Sequence, residues 1–171
     1  MAMTTMATAP VNGTRRRIDA LVAALGSDQP AEREQSRRRL VAIGLPAIEA
    51  LSWALTEGDE RVRWEAAKAL TQVADASAAP ALVEALEDEE PGVRWLAAEA
   101  LMNLGRAALE PLLHALISDH QSAWLREGAH HVLAAREKGD LWSVLHPVVV
   151  ALDGPAHEVA AMKAASEALR A

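Results

Sequence analysis

Six histidines fall in the C-terminal part of this chain: His114, His120, His130, His131, His146 and His157. Imidazole and carboxylate side chains at helical spacing are the raw material of metal sites. Glu110 and His114 stand four apart, which puts both on one face of a helix, and His146 holds the corresponding row one unit later. Those three side chains define one candidate clamp. The other histidines read as structural: His130 stands where the equivalent units carry alanine, which makes it a packing or capping residue, and His131 takes a solvent position. The chain has no cysteine, so it offers no thiolate ligand, disulfide or cysteine nucleophile. No Gly-rich phosphate loop, G-x-S-x-G or H-E-x-x-H is present. The carboxylates crowded at Glu87–Glu90 fall between helices, as caps and solubilising charge. The sequence therefore assigns no catalytic residue, no metal and no cofactor.

The elements that would position any site come from composition and period. Half of the 171 residues are hydrophobic, yet Phe and Tyr are absent and Trp occurs five times. A core of Leu, Val, Ile and Ala suits close-packed helices. The net charge of −7 is uneven: residues 1–45 carry seven Arg against four acids, and residues 46–118 thirteen acids against five bases. Bases confined to Arg15–Arg17 and Arg37–Arg39 do not make the stripe a nucleic-acid binder needs, so nucleic acid is disfavoured as a partner. No run of ~18 apolar residues exists, so no membrane span is expected. The start, MAMTTMATAPVNGTRRR, lacks an apolar signal core, and the chain reads as cytoplasmic.

The stretch DERVRWEAAKALTQVADASAAPALVEAL, residues 59–86, returns as EPGVRWLAAEALMNLGRAALEPLLHAL, residues 90–116. Taking the Arg as a register mark gives Arg33, Arg63, Arg94 and Arg126. Seven residues after each stands Leu40, Leu70, Leu101 or Leu133, and a second helix then ends in Leu55, Leu86, Leu116 or Leu152. Near the start of each second helix lies Pro46, Pro80, Pro111 or Pro147, a residue tolerated in a first turn. A two-helix unit of ~30 residues buries its apolar faces only by stacking on copies of itself. The expectation is an all-α, right-handed solenoid of about ten helices. Residues 1–13 form a disordered tail, and 14–171 form one domain. That domain divides into a half repeat 14–27 capped by Thr14, repeats 28–57, 58–88, 89–118 and 119–153, and a half repeat 154–171. The last helix is expected to cover repeat four with Val159, Met162, Ala165 and Leu169.

The pattern D-x-x-V-R-x-x-A-A-x-A-L, followed by a Pro-started helix ending in A-L, resembles HEAT-like repeats, most closely the short subclass of phycobilin lyases. The resemblance covers residues 14–171. It implies a ladder in which Asp59 and Glu90 cap the first helices and pair with Arg63 and Arg94, with Arg126 as a further rung. It also implies that the second helices line the concave, ligand-facing side. Iron hydroxylases of this type use His-Glu dipeptides in several repeats. His157-Glu158 stands alone here, so no di-iron site is implied.

On this reading the concave positions lie two and six residues before each terminal Leu: Asp19 and Ala23, Glu49 and Trp53, Pro80 and Glu84, Glu110 and His114, His146 and Val150. An acidic row with one Trp favours a protein or peptide partner with a basic segment. Trp64 and Trp95 fall on the outer surface one repeat apart, where they either fold over the neighbouring repeat or form a contact site. The expected function is a non-catalytic binding scaffold, monomeric, using Glu49, Trp53, Glu84, Glu110, His114 and His146. The alternative that the resemblance implies is a lyase or isomerase subunit handling a bilin-like small molecule.

Overall fold

The computed structural model describes residues 9–119, 121–136, 139–154 and 157–171. Among these residues ten α-helices follow one another: α1 (Ala9–Ala23), α2 (Pro30–Ile43), α3 (Ile48–Glu57), α4 (Glu60–Val73), α5 (Ala79–Glu84), α6 (Pro91–Leu104), α7 (Leu109–Ser118), α8 (Ala123–Ala134), α9 (Trp142–Asp153) and α10 (His157–Ala168). Short 3-10 turns extend or link several of them, and no strand occurs among the described residues. The chain is an all-α solenoid. None of its described helices is long and apolar enough to cross a membrane.

Two layers carry the stack. In the first, α2, α4, α6 and α8 pack side by side, and in the second α1, α3, α5 and α7 do the same. The leucines of the repeat pattern are the reason. Leu40, Leu70, Leu101 and Leu133 in the first layer, and Leu25, Leu55, Leu86 and Leu116 in the second, are all essentially inaccessible. Alanines Ala66, Ala69, Ala97 and Ala100 are buried among them and let neighbouring helices approach closely.

The first-layer helices start in two ways, both explained by the unsatisfied N–H groups of a first turn. The side chains of Asp59 and Ser122 accept from the backbone N–H groups of Val62 at 3.0 Å and Leu125 at 3.2 Å. In α2 and α6 the first residue is instead a proline, Pro30 or Pro91, which has no N–H to satisfy. Three of these helices, α2, α4 and α6, end at one register position in a positive φ: Gly44 at 70°, Ala74 at 51° and Gly105 at 68°. Alanine in the left-handed region carries a steric cost that glycine avoids. Ala74→Gly is therefore expected to stabilise the protein by about 0.5–1 kcal/mol, seen as a higher urea midpoint at unchanged slope. A lower midpoint would show that this turn does not strain Ala74.

Three expectations need correction. The first helix starts at Ala9 and not at Thr14, with Pro10 in its first turn where a fixed φ is tolerated. Residues 1–8 of the expected tail lie outside the described residues. Pro147 is inside α9, not in its first turn, because the residues added in repeat four lengthen that helix at its N-terminal end to Trp142.

The third correction concerns the far end of the stack. The last helix does not continue the first layer on α8 as a half repeat would. Instead α10 packs against α7 and α9, with at most marginal contact with α8, and α9 packs against α8 and α10. The second-layer place after α7 thus belongs to α10, and α9 is displaced from it. Leu152, the fourth terminal Leu, is accordingly only half-buried. The face of α10 is also rotated from the expected one. Ala161 and Ala165 are buried and Ala164, Ala168 and Leu169 partly so, whereas Val159 is 64% exposed. An alanine stripe suits this helix to a narrow slot between two others.

Candidate functional site

The expected positions are open, eight of them on the second-layer helices and two, His146 and Val150, on the displaced α9. Asp19, Ala23, Glu49, Trp53, Pro80, Glu84, Glu110, His114, His146 and Val150 are all exposed. Each lies on the opposite side of its helix from the buried Leu, as two- and six-residue offsets on a 3.6-residue turn require. Two grooves run along this face. One, of about 930 Å³, lies between α1 and α3; it has a floor of Ile18, Val22, Ala50 and Trp53, and Arg15, Asp19 and Glu49 at its rim. Trp53 is 63% exposed there, a large apolar side chain left in solvent. The other, of about 620 Å³, lies between α5 and α7 with Leu125 of α8 at one end. It brings together Glu84, Glu110 and His114 with Glu87 and Asp119 over a floor of Val83, Pro111 and Ala115.

The charges of the two layers are used differently. In the first layer, acids meet arginines. Arg63 donates through Nε to Asp88 Oδ2 at 2.7 Å and through Nη2 to Asp88 Oδ1 and Glu89 Oε1, both at 3.1 Å. The hydrogen bonds from Arg63 to Asp88 hold its guanidinium protonated above its ordinary range. Glu65, 8% exposed, accepts from Arg37 Nε at 2.8 Å with Arg33 Nε at 3.8 Å. In the second-layer groove between α5 and α7, no ion pair forms among the described residues: Glu84, Glu87, Glu110 and Asp119 all lack a cation within reach.

The Arg series forms rungs of a different kind from those expected. Asp59 spends its carboxylate on the N–H of Val62, and Glu90 makes no side-chain cap, so neither pairs with the Arg four residues on. The arginines reach backbone carbonyls of the preceding loop instead: Arg33 to Ser27 at 2.8 Å, Arg63 to Gly58 at 3.1 Å, and Arg94 to Asp88 at 2.6 Å. Their carboxylate partners, where present, come from the next repeat: Glu65 of α4 for Arg33, and Asp88 and Glu89 of the loop before α6 for Arg63. Arg94 also lies 4.7 Å above the Trp124 ring, a cation–π contact. Arg126 sits half-buried in α8, its backbone N–H bonded to the Ser122 carbonyl at 3.2 Å.

The two outer tryptophans differ. Trp64 lies flat over Gly92 of the next repeat, where a Cβ would come within 2.1 Å of its ring. Trp95, whose neighbour at that register position is Trp124 instead of glycine, stays 60% exposed. The histidines do not converge. His114 is in the α5–α7 groove, while His146 lies tilted against Trp142 with ring centroids 5.0 Å apart, on a helix that α10 separates from α7. His130 Nε2 lies 3.1 Å from Asp153 Oδ1, tying α8 to α9. His120 and the side chain of His157 lie outside the described residues. No three His, Asp or Glu side chains among the described residues are placed to hold a metal ion. The clamp of Glu110, His114 and His146 is thus not assembled, because the displacement of α9 carries His146 away.

Sequence reasoning missed Glu65 and Trp124. The signal for Glu65 was Arg37, a charge at the position held by Ala67 and Ala98 in the next two repeats, which needs a buried counter-charge. Trp124 stands at the register position of Arg61 and Gly92, so the repeat pattern gave no warning of it.

The model for HEAT repeats matches residues 48–134 and, in an overlapping register, residues 81–168. No curated protein matches the sequence. Among solved structures, an engineered protein is 25% identical over 94% of this chain and 84% of its own, with a TM-score of 0.46.

Proposed function

This chain belongs to the HEAT-repeat family, and from that premise we propose that it is a non-catalytic scaffold binding a protein or peptide on its concave, second-layer face. HEAT repeats commonly mediate protein interactions, and their open, stacked surface suits an extended contact. The observation that carries the reading is the pair of grooves on that face, one with Trp53 left in solvent and one with four unneutralised carboxylates. An exposed tryptophan in an apolar groove is the kind of residue on which interfaces concentrate their affinity. Carboxylates that make no ion pair among the described residues favour a basic segment and raise its association rate. Glu49, Trp53, Glu84, Glu110 and His114 are the contact residues on this reading, with His146 at the far margin.

The test is selection of peptides from a random display library on the intact protein, followed by binding to the Trp53→Ala, Glu84→Lys double variant. Both positions are exposed, so the variant is expected to keep its circular dichroism and melting profile. Selected peptides are expected to be rich in Lys and Arg and to bind the variant at least ten-fold more weakly. Peptides that bind wild type and variant equally would remove the concave face from consideration. A library that yields no specific binder would remove the peptide-scaffold reading itself.

A further inference from the structure

Resting on that scaffold reading, we infer that the partner is a bipartite extended segment: an apolar anchor for the α1–α3 groove and, about six residues away, a Lys/Arg pair for the α5–α7 groove. The two grooves differ in kind. The first is lined by Ile18, Val22, Ala50 and Trp53, and its rim charges are mixed, with Arg15 facing Asp19 and Glu49. It recognises an apolar side chain and gives little preference for charge. The second carries Glu84, Glu87, Glu110 and Asp119, with His114 but no Lys or Arg in its lining. Those carboxylates make no ion pair among the described residues, unlike Glu65 and Asp88, which are held by arginines. Its floor of Val83, Pro111 and Ala115 accommodates the aliphatic stems of Lys or Arg while their charged ends meet the rim.

The spacing follows from the stacking. In the second layer α1, α3, α5 and α7 pack in that order, so the centres of the two grooves are two interhelix distances apart, about 16–20 Å. An extended chain advances about 3.3 Å per residue and covers that in roughly five or six residues. Side chains on one side of an extended segment recur about every 6.6 Å, so the segment can cross the ridges of α3 and α5 and still drop side chains into both grooves. A helical segment would need about eleven to thirteen residues for the same span at 1.5 Å each. The two grooves together also explain why Trp53 and the acidic row share one face.

The test uses fluorescent peptides carrying Leu-Leu and Lys-Arg joined by two, six or eleven prolines, in both orders. Polyproline is a stiff spacer of ~3.1 Å per residue, giving separations of ~6, ~19 and ~34 Å. In fluorescence anisotropy with the full chain, the six-proline peptide is expected to bind at least ten-fold more tightly than either other length. Replacing its Lys-Arg by Ser-Ser, or the protein's Glu84 and Glu110 by Lys, is expected to remove that advantage. Raising salt should weaken the six-proline peptide more than its Ser-Ser counterpart. Equal affinity at all three lengths, or an advantage that survives Glu84→Lys with Glu110→Lys, overturns the bipartite inference. If library-selected peptides still lose affinity with Trp53→Ala in that case, the scaffold reading stands without it. A best length of eleven would also overturn it, in favour of a wider-spaced partner.

Discussion

Glu65→Leu alone is expected to destabilise the protein by about 3 kcal/mol, and adding Arg37→Ala is expected to recover most of that loss. Glu65 is 8% exposed, and its carboxylate lies 2.8 Å from Arg37 Nε and 3.8 Å from Arg33 Nε. Removing the acid leaves the Arg37 guanidinium in a nearly closed inter-repeat slot without a counter-charge, which is the costly way to break a buried pair. Removing both charges is different. At the next interface of the stack the same register positions hold Ala67 and Leu96, an apolar solution to the same slot. The double variant copies that solution, and buried ion pairs replaced by apolar residues of similar volume are often neutral or stabilising. Arg37→Ala alone should fall between, at about 1–2 kcal/mol, because Arg33 remains beside Glu65. Urea midpoints of the four proteins at a common slope give the coupling energy. Costs that simply add, with the double variant the least stable, would show that the pair is not what Glu65 contributes.

That slot also shows how far the sequence could be read. The period of 30–32 residues set by Arg33, Arg63, Arg94 and Arg126 was enough for the two-layer stack, because each repeat meets only its neighbours and one repeat predicts the next. The open positions followed from the same register, and all ten are exposed. What a repeat pattern cannot carry is pairing across repeats. Asp88 rather than Asp59 meets Arg63 because the guanidinium reaches sideways along the stack, and linear spacing says nothing about that direction. Glu65 with Arg37 is a partnership 28 residues apart at two different register positions. The end of the array was misread for a related reason. Residues 154–171 copy the apolar spacing of a first-layer helix, but the longer α9 moves their docking surface, and α10 meets α7 instead of α8. The grooves lay partly within reach: the sequence named Trp53, Glu84, Glu110 and His114, but not that the first two fall in separate grooves of unlike chemistry.

A chain ending at Gly154 is expected to lose about twice the helical signal of the segment removed. The deletion takes away α10, 12 residues long, and α9, another 12, should unfold with it. The reason is which helix holds which. Because α10 occupies the second-layer place beside α7, α9 has α8 and α10 as its substantial neighbours among the described elements. Without α10 it has one flank, and a 12-residue helix on its own is marginal in water. Its sequence makes matters worse. Pro147 lies in the helix interior, so the carbonyl of Ser143 has no N–H four residues on to bond. The contact from His130 to Asp153 cannot compensate, since Asp153 is largely exposed and such a pair contributes at most about 1 kcal/mol. The far-UV ellipticity of the shortened chain, set against the full chain at equal concentration, decides the matter. A loss matching α10 alone, with Trp142 fluorescence unchanged, would mean that α10 is a replaceable end cap. A loss matching both helices would mean that α9 and α10 fold as one unit keyed to α7.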